Sequence, residues 1–331
     1  MKILRFILSI LLVLSCVFTF TIGGEKIKSQ AIDNTPKRYK GIITVWQIDG
    51  FEGGIGSRKQ FLLKTARSFE KQNDGVLIMV INQTFEGAKE NLLKGNCPDL
   101  ISFSNGLDYS SFYALKTDKK FKGGYIGEKC YLTTWCRGNY CLFSNPTISN
   151  ENMPKEIEKL VVSKSEFTQP LLAILMENIK VKEVIVKKPL DAYIDFVSGK
   201  SNYFLGTQRD IYRLNNRGVS YKVTPLKNYN DLYQYIGVTS ADDGKREIAF
   251  NFIEYLLSEK VQKNLHEIGL MSNYLKVEFN DENLNSLQNL NGFNTVSAFL
   301  GSQKLLLLEK EILAEITNQT YDVNKIKNML I

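Results

Sequence analysis

The sequence predicts an α/β protein built on open sheets with helices on their faces, and three observations lead to this class. Strand and helix patterns alternate through residues 41–103. Within that segment, residues 76–81 form an unbroken apolar run, which is typical of a strand buried on both faces. The chain has 331 residues, 44% of them hydrophobic, which suffices for roughly two domains with a core in each.

The first part of the body gives the clearest element pattern. Residues 42–46 are β-branched and predict a first strand. A capping box that begins at Ser57 predicts the start of a helix with apolar residues at helical spacing. The apolar run 76–81, a short helix over 85–94 and a strand at 100–103 follow. Parallel strands need such crossovers, and ligands of open sheets bind beyond the carboxyl ends of the strands.

The middle of the chain is less regular, whereas the last third is strongly helical. Segment 131–143 is rich in aromatic residues and cysteine, with no clear period. The remaining predictions are helices at 165–179, 191–197, 248–257, 258–268 and 305–316, and strands at 184–186, 203–206 and 233–240.

The N-terminus is typical of an export signal. Residues 6–22 carry no charge and follow two basic residues, so 1–24 is predicted to be a signal peptide or a membrane anchor. Three alternatives remain open: cleavage after the apolar run, retention as an anchor, or acylation of Cys16. All three place the body outside the cytoplasm, at the outer face of the membrane or secreted. Residues 25–40 are polar without periodicity and are predicted to be a linker.

Composition excludes several kinds of chemistry. The single histidine, His266, excludes a His-rich metal site. The net charge of +7 comes from basic residues spread among acids, so no nucleic-acid partner is expected. The glycines at 53–56 and the segment 198–201 do not satisfy the dinucleotide-binding or P-loop patterns. We therefore expect no cofactor and no metal.

The cysteines that follow Cys16 leave their redox state open. Cys130, Cys136 and Cys141 are close enough in sequence for a disulfide, which an exported protein can form. Free buried thiols are the alternative, together with Cys97. A thiolate metal site is disfavoured because the chain has no Cys-x2-Cys pair.

Several stretches, taken in order and spacing, resemble the family 1 extracellular solute-binding proteins, which are the receptors of ABC importers. The resemblance runs from about residue 41 to 275. It rests on residues 43–46, 57–70, 95–101, 131–135, 138–140, 204–210 and 252–258.

The resemblance implies a two-lobed periplasmic-binding-protein-like type II fold, also called a Venus-flytrap fold, with a multi-strand hinge. The first lobe would comprise residues 41–133 and 239–285, and the second 134–238 and 286–331. A monomer would bind a small solute between its lobes and deliver it to the permease subunits of an ABC transporter. It would not be an enzyme.

The ligand site is predicted at the strand ends and at the crossing between lobes. A sugar is the expected ligand, since flat rings and polar groups together suit its apolar faces and hydroxyl edges. If the arginine of the site acts mainly with the loop 53–57, an anionic ligand is expected instead. The predicted ligand-binding residues are Trp46, Asp49, Asn105, Trp135, Thr207, Gln208 and Arg209.

Two other functions remain open from the sequence. A secreted hydrolase acting on glycans would need an acid–base pair, for which Asp49 and Glu52 are candidates. A membrane-tethered interaction protein that no longer serves transport is the second alternative.

Overall fold

A computed structural model of the chain describes residues 10–15, 39–148, 153–288 and 293–330. Backbone contacts divide the chain into two units, Met1–Arg38 and Tyr39–Ile331. In the first unit, residues 10–15 are helical and exposed. The predicted lipidation residue Cys16 and nearly all of the predicted linker lie outside the described residues. Among the residues that are described, no helix is both long enough and apolar enough to cross a bilayer.

The second unit contains the following elements in chain order. The strands are β1 (Gly41–Ile48), β2 (Val76–Gln83), β3 (Leu100–Phe103), β4 (Tyr125–Ile126), β5 (Lys129–Cys130), β6 (Thr133–Arg137), β7 (Tyr140–Ser144), β8 (Glu156–Ser163), β9 (Lys180–Lys187), β10 (Tyr203–Thr207), β11 (Lys222–Pro225) and β12 (Tyr233–Val238). The α-helices are α1 (Arg58–Glu70), α2 (Phe85–Leu93), α3 (Pro170–Met176), α4 (Pro189–Val197), α5 (Gln208–Asn216), α6 (Asp243–Leu256), α7 (Glu259–Gln262), α8 (Glu282–Ser286), α9 (Ser302–Thr317) and α10 (Val323–Lys327). Two 3₁₀ segments lie at Lys122–Gly124 and Lys263–Ile268.

Two five-stranded sheets organise this unit, and each forms the centre of one lobe. The first has the order β2-β1-β3-β12-β6, and the second has the order β11-β7-β10-β8-β9. In the first, β1 is parallel to β2 and β3, and β12 runs antiparallel beside β3. In the second, β8 is parallel to β9 and β10, and β7 runs antiparallel beside β10. The two sheets therefore share one plan, with three parallel strands followed by an antiparallel strand.

The chain crosses between the sheets at two neighbouring points. One crossing links β6 to β7, the other links β11 to β12, and the Gly138 N–H donates to the Leu232 carbonyl between them (2.7 Å). Strands β6 and β12 pair with each other in the first sheet. The expected lobe boundaries at 133/134 and 238/239 stay a prediction; they assign β6 and β12 to the second lobe, whereas both strands hydrogen-bond within the first sheet.

Local capping and edge effects explain where the sequence prediction of the first sheet succeeds and where it does not. The Ser57 side chain accepts a hydrogen bond from the Gln60 N–H, so α1 begins where the capping box predicts. The run 76–81 is not buried on both faces, because β2 is an edge strand. Its Leu77 and Met79 side chains are exposed while the alternate residues pack inward.

Strand β8 is a central strand that the sequence pattern does not reveal. Only its second half is a continuous apolar run, and its first half carries the charges of Glu156, Glu158 and Lys159. The predicted helix 165–179 shortens to α3, and the predicted strand 184–186 lengthens to β9. The described cysteines, Cys97 among them, are free thiols rather than disulfide-bonded.

Trp135 is a core residue of the first sheet. Its side chain is fully buried, and its ring stacks on Phe61 with centroids 5.7 Å apart. Its indole N–H donates to the Ser102 hydroxyl (2.9 Å). The side chain therefore contributes packing and a satisfied buried hydrogen bond.

We predict that Trp135→Ala lowers the free energy of unfolding by about 3–5 kcal/mol, because it leaves a large cavity and removes the hydrogen bond from the indole to Ser102. Urea unfolding followed by circular dichroism measures the change. Leu93→Ala, at an exposed position, serves as the control and should change stability by less than about 0.5 kcal/mol. A loss below about 1 kcal/mol for Trp135→Ala would contradict a core role.

Candidate binding site between the lobes

The carboxyl ends of strands from both sheets meet between the lobes, and Glu52 lies where they meet. Glu52 belongs to the loop that follows β1. Its backbone N–H donates to the Ser165 hydroxyl beyond β8 (3.1 Å). Its carbonyl oxygen accepts a hydrogen bond from the Thr207 hydroxyl at the end of β10 (3.4 Å). A residue of the first lobe is thus bound through its backbone by the second lobe.

The Glu52 carboxylate is bound by two arginines of α5. The two terminal nitrogens of Arg213 contact its two oxygens, at 2.5 Å (Nη2 to Oε1) and 3.0 Å (Nη1 to Oε2). Arg209 Nε lies 3.4 Å from Oε1. The planar guanidinium fork matches a carboxylate in this bidentate geometry. The three side chains are partly buried, which strengthens the interaction relative to an exposed ion pair.

The first turn of α5 holds these arginines in position. Thr207 and Asp210 form a capping box at the helix start. Asp210 is buried and also accepts from Arg213 Nη1 (3.0 Å). Burial raises its pKa to about 6, against the opposing effect of the Thr207 N–H and of Arg213. Arg209 Nη1 donates to the Gly54 carbonyl (3.2 Å), which ties the helix to the glycine loop of the first lobe.

Gln208 contributes a buried donor to the same region. Its Oε1 accepts from the Asn139 N–H (2.8 Å), which fixes the side chain. Its Nε2 is buried and has no hydrogen-bond partner among the described residues. A Cβ atom built at Gly53 would lie 3.1 Å from this nitrogen. An unpaired buried donor is costly, so a ligand group or a water molecule that accepts from it gains a favourable contact.

Asp231 links the two lobes at the crossing between β11 and β12. Its side chain is fully buried, and its Oδ1 accepts from the Tyr140 hydroxyl (2.6 Å). Its Oδ2 accepts from the Gln169 N–H (2.8 Å), while Asn105 Nδ2 of the first lobe donates to its carbonyl (3.0 Å). Burial raises the pKa of Asp231 to about 6, although the Tyr140 and Gln169 hydrogen bonds act to lower it.

Four of the predicted ligand-binding residues lie at the contact between the lobes. Thr207, Gln208 and Arg209 meet the loop after β1, and Asn105 meets the crossing that contains Asp231. Asp49 is half-exposed and pairs with Arg58 of its own lobe (2.9 Å).

The two tryptophans are not placed as predicted. Trp135 is buried in the core against Phe61, and Trp46 is buried in a second core cluster with Ile48 and Phe103. Neither ring is available to stack on a ligand here. A position near the end of a strand predicts a side chain in the cleft, whereas these two side chains point into the packed faces of the sheet.

Sequence reasoning missed Ser165, Arg213 and Asp231, and it treated Glu52 only as a possible catalytic acid. Arg213 follows Arg209 by one helical turn, so recognition of α5 as a helix would have paired them. Nothing in the local sequence distinguishes Ser165 or Asp231 from ordinary loop residues.

The two candidates for a catalytic acid–base pair, Asp49 and Glu52, are each bound by arginine. Asp49 binds Arg58, and Glu52 binds Arg213 and Arg209, so each is held by its own cation. Within the described parts of the chain, no group of His, Cys, Asp and Glu residues is arranged to hold a metal ion.

Comparison with known proteins identifies the fold. No protein-family model and no curated protein sequence matches this chain. Solved structures do match. The sugar-binding protein MalE from Xanthomonas citri is 13% identical with a TM-score of 0.59, over 88% of this chain and 96% of that protein.

Two further matches have different ligands. The GacH receptor of Streptomyces glaucescens, described unliganded and with acarbose, is 13% identical with a TM-score of 0.55, over 88% of this chain and 99% of the receptor. Iron-bound HitA from Pseudomonas aeruginosa is 14% identical with a TM-score of 0.55, over 82% of this chain and 99% of HitA. The similarity confirms the predicted two-lobed α/β fold of solute-binding proteins.

We predict that the stability of the folded protein depends on pH through the ionisation of Asp231. Its pKa is higher in the folded protein than the ordinary value of 3.8, so the folded state holds a proton that the unfolded state has lost between about pH 4 and 6. Stability therefore falls as pH rises through this range. The free energy of unfolding of the wild type, minus that of Asp231→Asn, should fall by on the order of 2–3 kcal/mol from pH 4 to pH 7.

Urea unfolding at a series of pH values measures this difference. Asp210 contributes a slope of the same sign to both proteins and cancels in the comparison. Asp191→Asn, at an exposed position of α4, is the matched control. A difference that stays constant between pH 4 and 7 would show that Asp231 does not titrate as described.

Proposed function

We propose that the protein is a solute-binding receptor that captures a small polar solute between its lobes and delivers it to an ABC permease. The observation that carries the proposal is the contact of Glu52 with Ser165, Thr207, Arg209 and Arg213, where polar groups of both lobes converge. A ligand at this place touches both lobes and so favours their closed arrangement. In this proposal the protein binds its solute and does not catalyse a reaction on it.

A sugar is the first candidate for the solute. The acarbose-binding receptor and the sugar-binding MalE share the fold, and Arg, Glu and Gln side chains bind hydroxyl groups well. The two tryptophans expected to stack on a sugar, Trp46 and Trp135, are buried in the core.

An anionic solute is the second candidate, because two guanidinium groups, those of Arg209 and Arg213, lie at the contact between the lobes. The loop 53–57 contributes less than expected, since its Ile55 and Gly56 N–H groups donate to the Ile268 carbonyl.

The proposed location is the outer face of the membrane. This location rests on the uncharged segment 6–22 behind two basic residues.

A thermal-shift screen of the purified full-length protein against neutral sugars, sugar acids, amino acids, dicarboxylates and phosphates tests the proposal. A solute at 100 times its dissociation constant should raise stability by about 2.7 kcal/mol. Arg209→Ala should weaken its binding at least tenfold, about 1.4 kcal/mol, because a charge-assisted contact is lost. Host cells that lack the protein should lose uptake of the same solute.

Arg67→Ala, at an exposed position of α1, is the matched control and should leave affinity unchanged. Equal affinities of the Arg209 and Arg67 variants would place the ligand elsewhere. A screen in which no solute stabilises the wild type would count against a receptor function.

A further inference from the structure

Every polar atom of Glu52 is bound by the second lobe. Its N–H, its carbonyl and its carboxylate contact four residues, Ser165, Thr207, Arg209 and Arg213. We name these four residues the arginine site. From this geometry we infer that the arginine site is a carboxylate-binding site, that Glu52 occupies it as a built-in ligand, and that the solute carries a carboxylate that replaces Glu52. The inference rests on the proposed receptor function and narrows its solute class.

The geometry favours a carboxylate over a neutral group. Arg213 contacts both Glu52 oxygens, which is the planar bidentate pairing that guanidinium forms with carboxylates. Arg209 adds a second cation at 3.4 Å from Oε1. A hydroxyl group could accept one of these hydrogen bonds, but it brings no charge to balance the two arginines.

The charge balance of the site depends on Glu52. Arg209 and Arg213 carry two positive charges, and Glu52 and Asp210 supply the two opposing carboxylates. Asp210 is fixed within α5 through its contacts with the Thr207 N–H and Arg213. When the Glu52 carboxylate leaves, two arginines share one remaining carboxylate, that of Asp210. The Arg213 side chain is only 19% exposed, so its charge is poorly compensated by water. An unpaired, partly desolvated charge is costly, so the site will bind another anion.

Glu52 lies in a segment that can release it. The residue belongs to the loop between β1 and α1 rather than to either element, and Gly50, Gly53 and Gly54 lie beside it. Gly54 has a positive φ of 76°, a conformation that suits glycine. Rotation of the Glu52 side chain can therefore remove the carboxylate from the arginine site while the loop backbone keeps its hydrogen bonds, and no strand or helix is broken.

A second observation is a donor without a partner among the described residues, close to the same site. Gln208 is fully buried, and its Nε2 has no partner within the described residues, although its Oε1 is fixed by Asn139. This donor lies close to Gly53, next to Glu52 in the chain. A solute whose carboxylate binds the arginine site can place a hydroxyl or carbonyl oxygen within reach of this donor.

Chemical rescue tests the inference on the full-length protein. In Glu52→Ala, sodium acetate should raise the melting temperature saturably by at least about 3 °C over sodium chloride of equal ionic strength. The wild type should shift by less than about 1 °C, because Glu52 already fills the site. The added variant Arg213→Met in the Glu52→Ala background should abolish the response.

Controls and alternative variants keep the test decisive. Glu267→Ala removes a carboxylate that pairs with exposed Lys64, and it should give no acetate-specific shift. If Glu52→Ala does not fold by circular dichroism in sodium chloride, its refolding in sodium acetate of equal ionic strength becomes the measurement. Acetate that acts no better than chloride on a folded variant overturns the inference, as does a response that survives loss of Arg213.

Separate titrations of Glu52→Ala with glucuronate, glutamate, glutarate and glucose identify the class of solute that carries the carboxylate. Stabilisation by the carboxylates but not by glucose supports the inference, and the strongest of the three identifies the solute class. Stabilisation by glucose alone overturns it and leaves the receptor proposal standing. Acetate rescue together with a wild type that no solute stabilises would support the carboxylate site and contradict the receptor function.

Discussion

The bidentate contact between Glu52 and Arg213 joins two sheets that are otherwise built separately. Each sheet arranges its own three parallel strands and one antiparallel strand, and the chain passes between them at the hinge. Contacts beyond the hinge fix the relative position of the facing loops. Glu52 supplies one of them through its backbone and its carboxylate together, beside the Arg209–Gly54 and Asn105–Asp231 hydrogen bonds, so it helps to place α5 against the loop after β1.

Around Glu52 and Asp231 the contact between the lobes is polar, whereas elsewhere Phe85 of the first lobe packs on Phe167 of the second, with ring centroids 4.7 Å apart. The polar part bears on how the contact can open. Asp210 and Asp231 are buried, and burial raises the pKa of each to about 6, while Gln208 keeps an unpaired donor. A buried ion pair recovers only part of the cost of removing its charges from water. The closed arrangement therefore gains less free energy than an apolar interface of the same extent would give. A solute that satisfies the same groups can shift the equilibrium between closed and open forms.

Local signals explain which parts the sequence could predict. The strand at 42–46 and the helix start at Ser57 follow from β-branching and capping, which act within a few residues. Burial of the Trp135 ring depends on Phe61 and Ser102, which are distant in sequence, so its spacing suggested a ligand contact instead. Of the site residues, Thr207, Gln208 and Arg209 were found because they follow a strand and a glycine. Arg213 lies one helical turn after Arg209 and could have been paired with it once α5 was recognised as a helix. Ser165 depends on the contact between the lobes, which no local pattern encodes.

A distance between the lobes tests the central claim most directly. Spin labels at Gln60→Cys on α1 and Asn216→Cys on α5, with the exposed Cys97 replaced by Ser, report on the mouth of the contact near Glu52. Pulsed electron paramagnetic resonance should give one short distance in the otherwise unaltered protein and a longer or broader distribution when Glu52→Ala is added. An identical distribution in both proteins would show that Glu52 does not hold the lobes together.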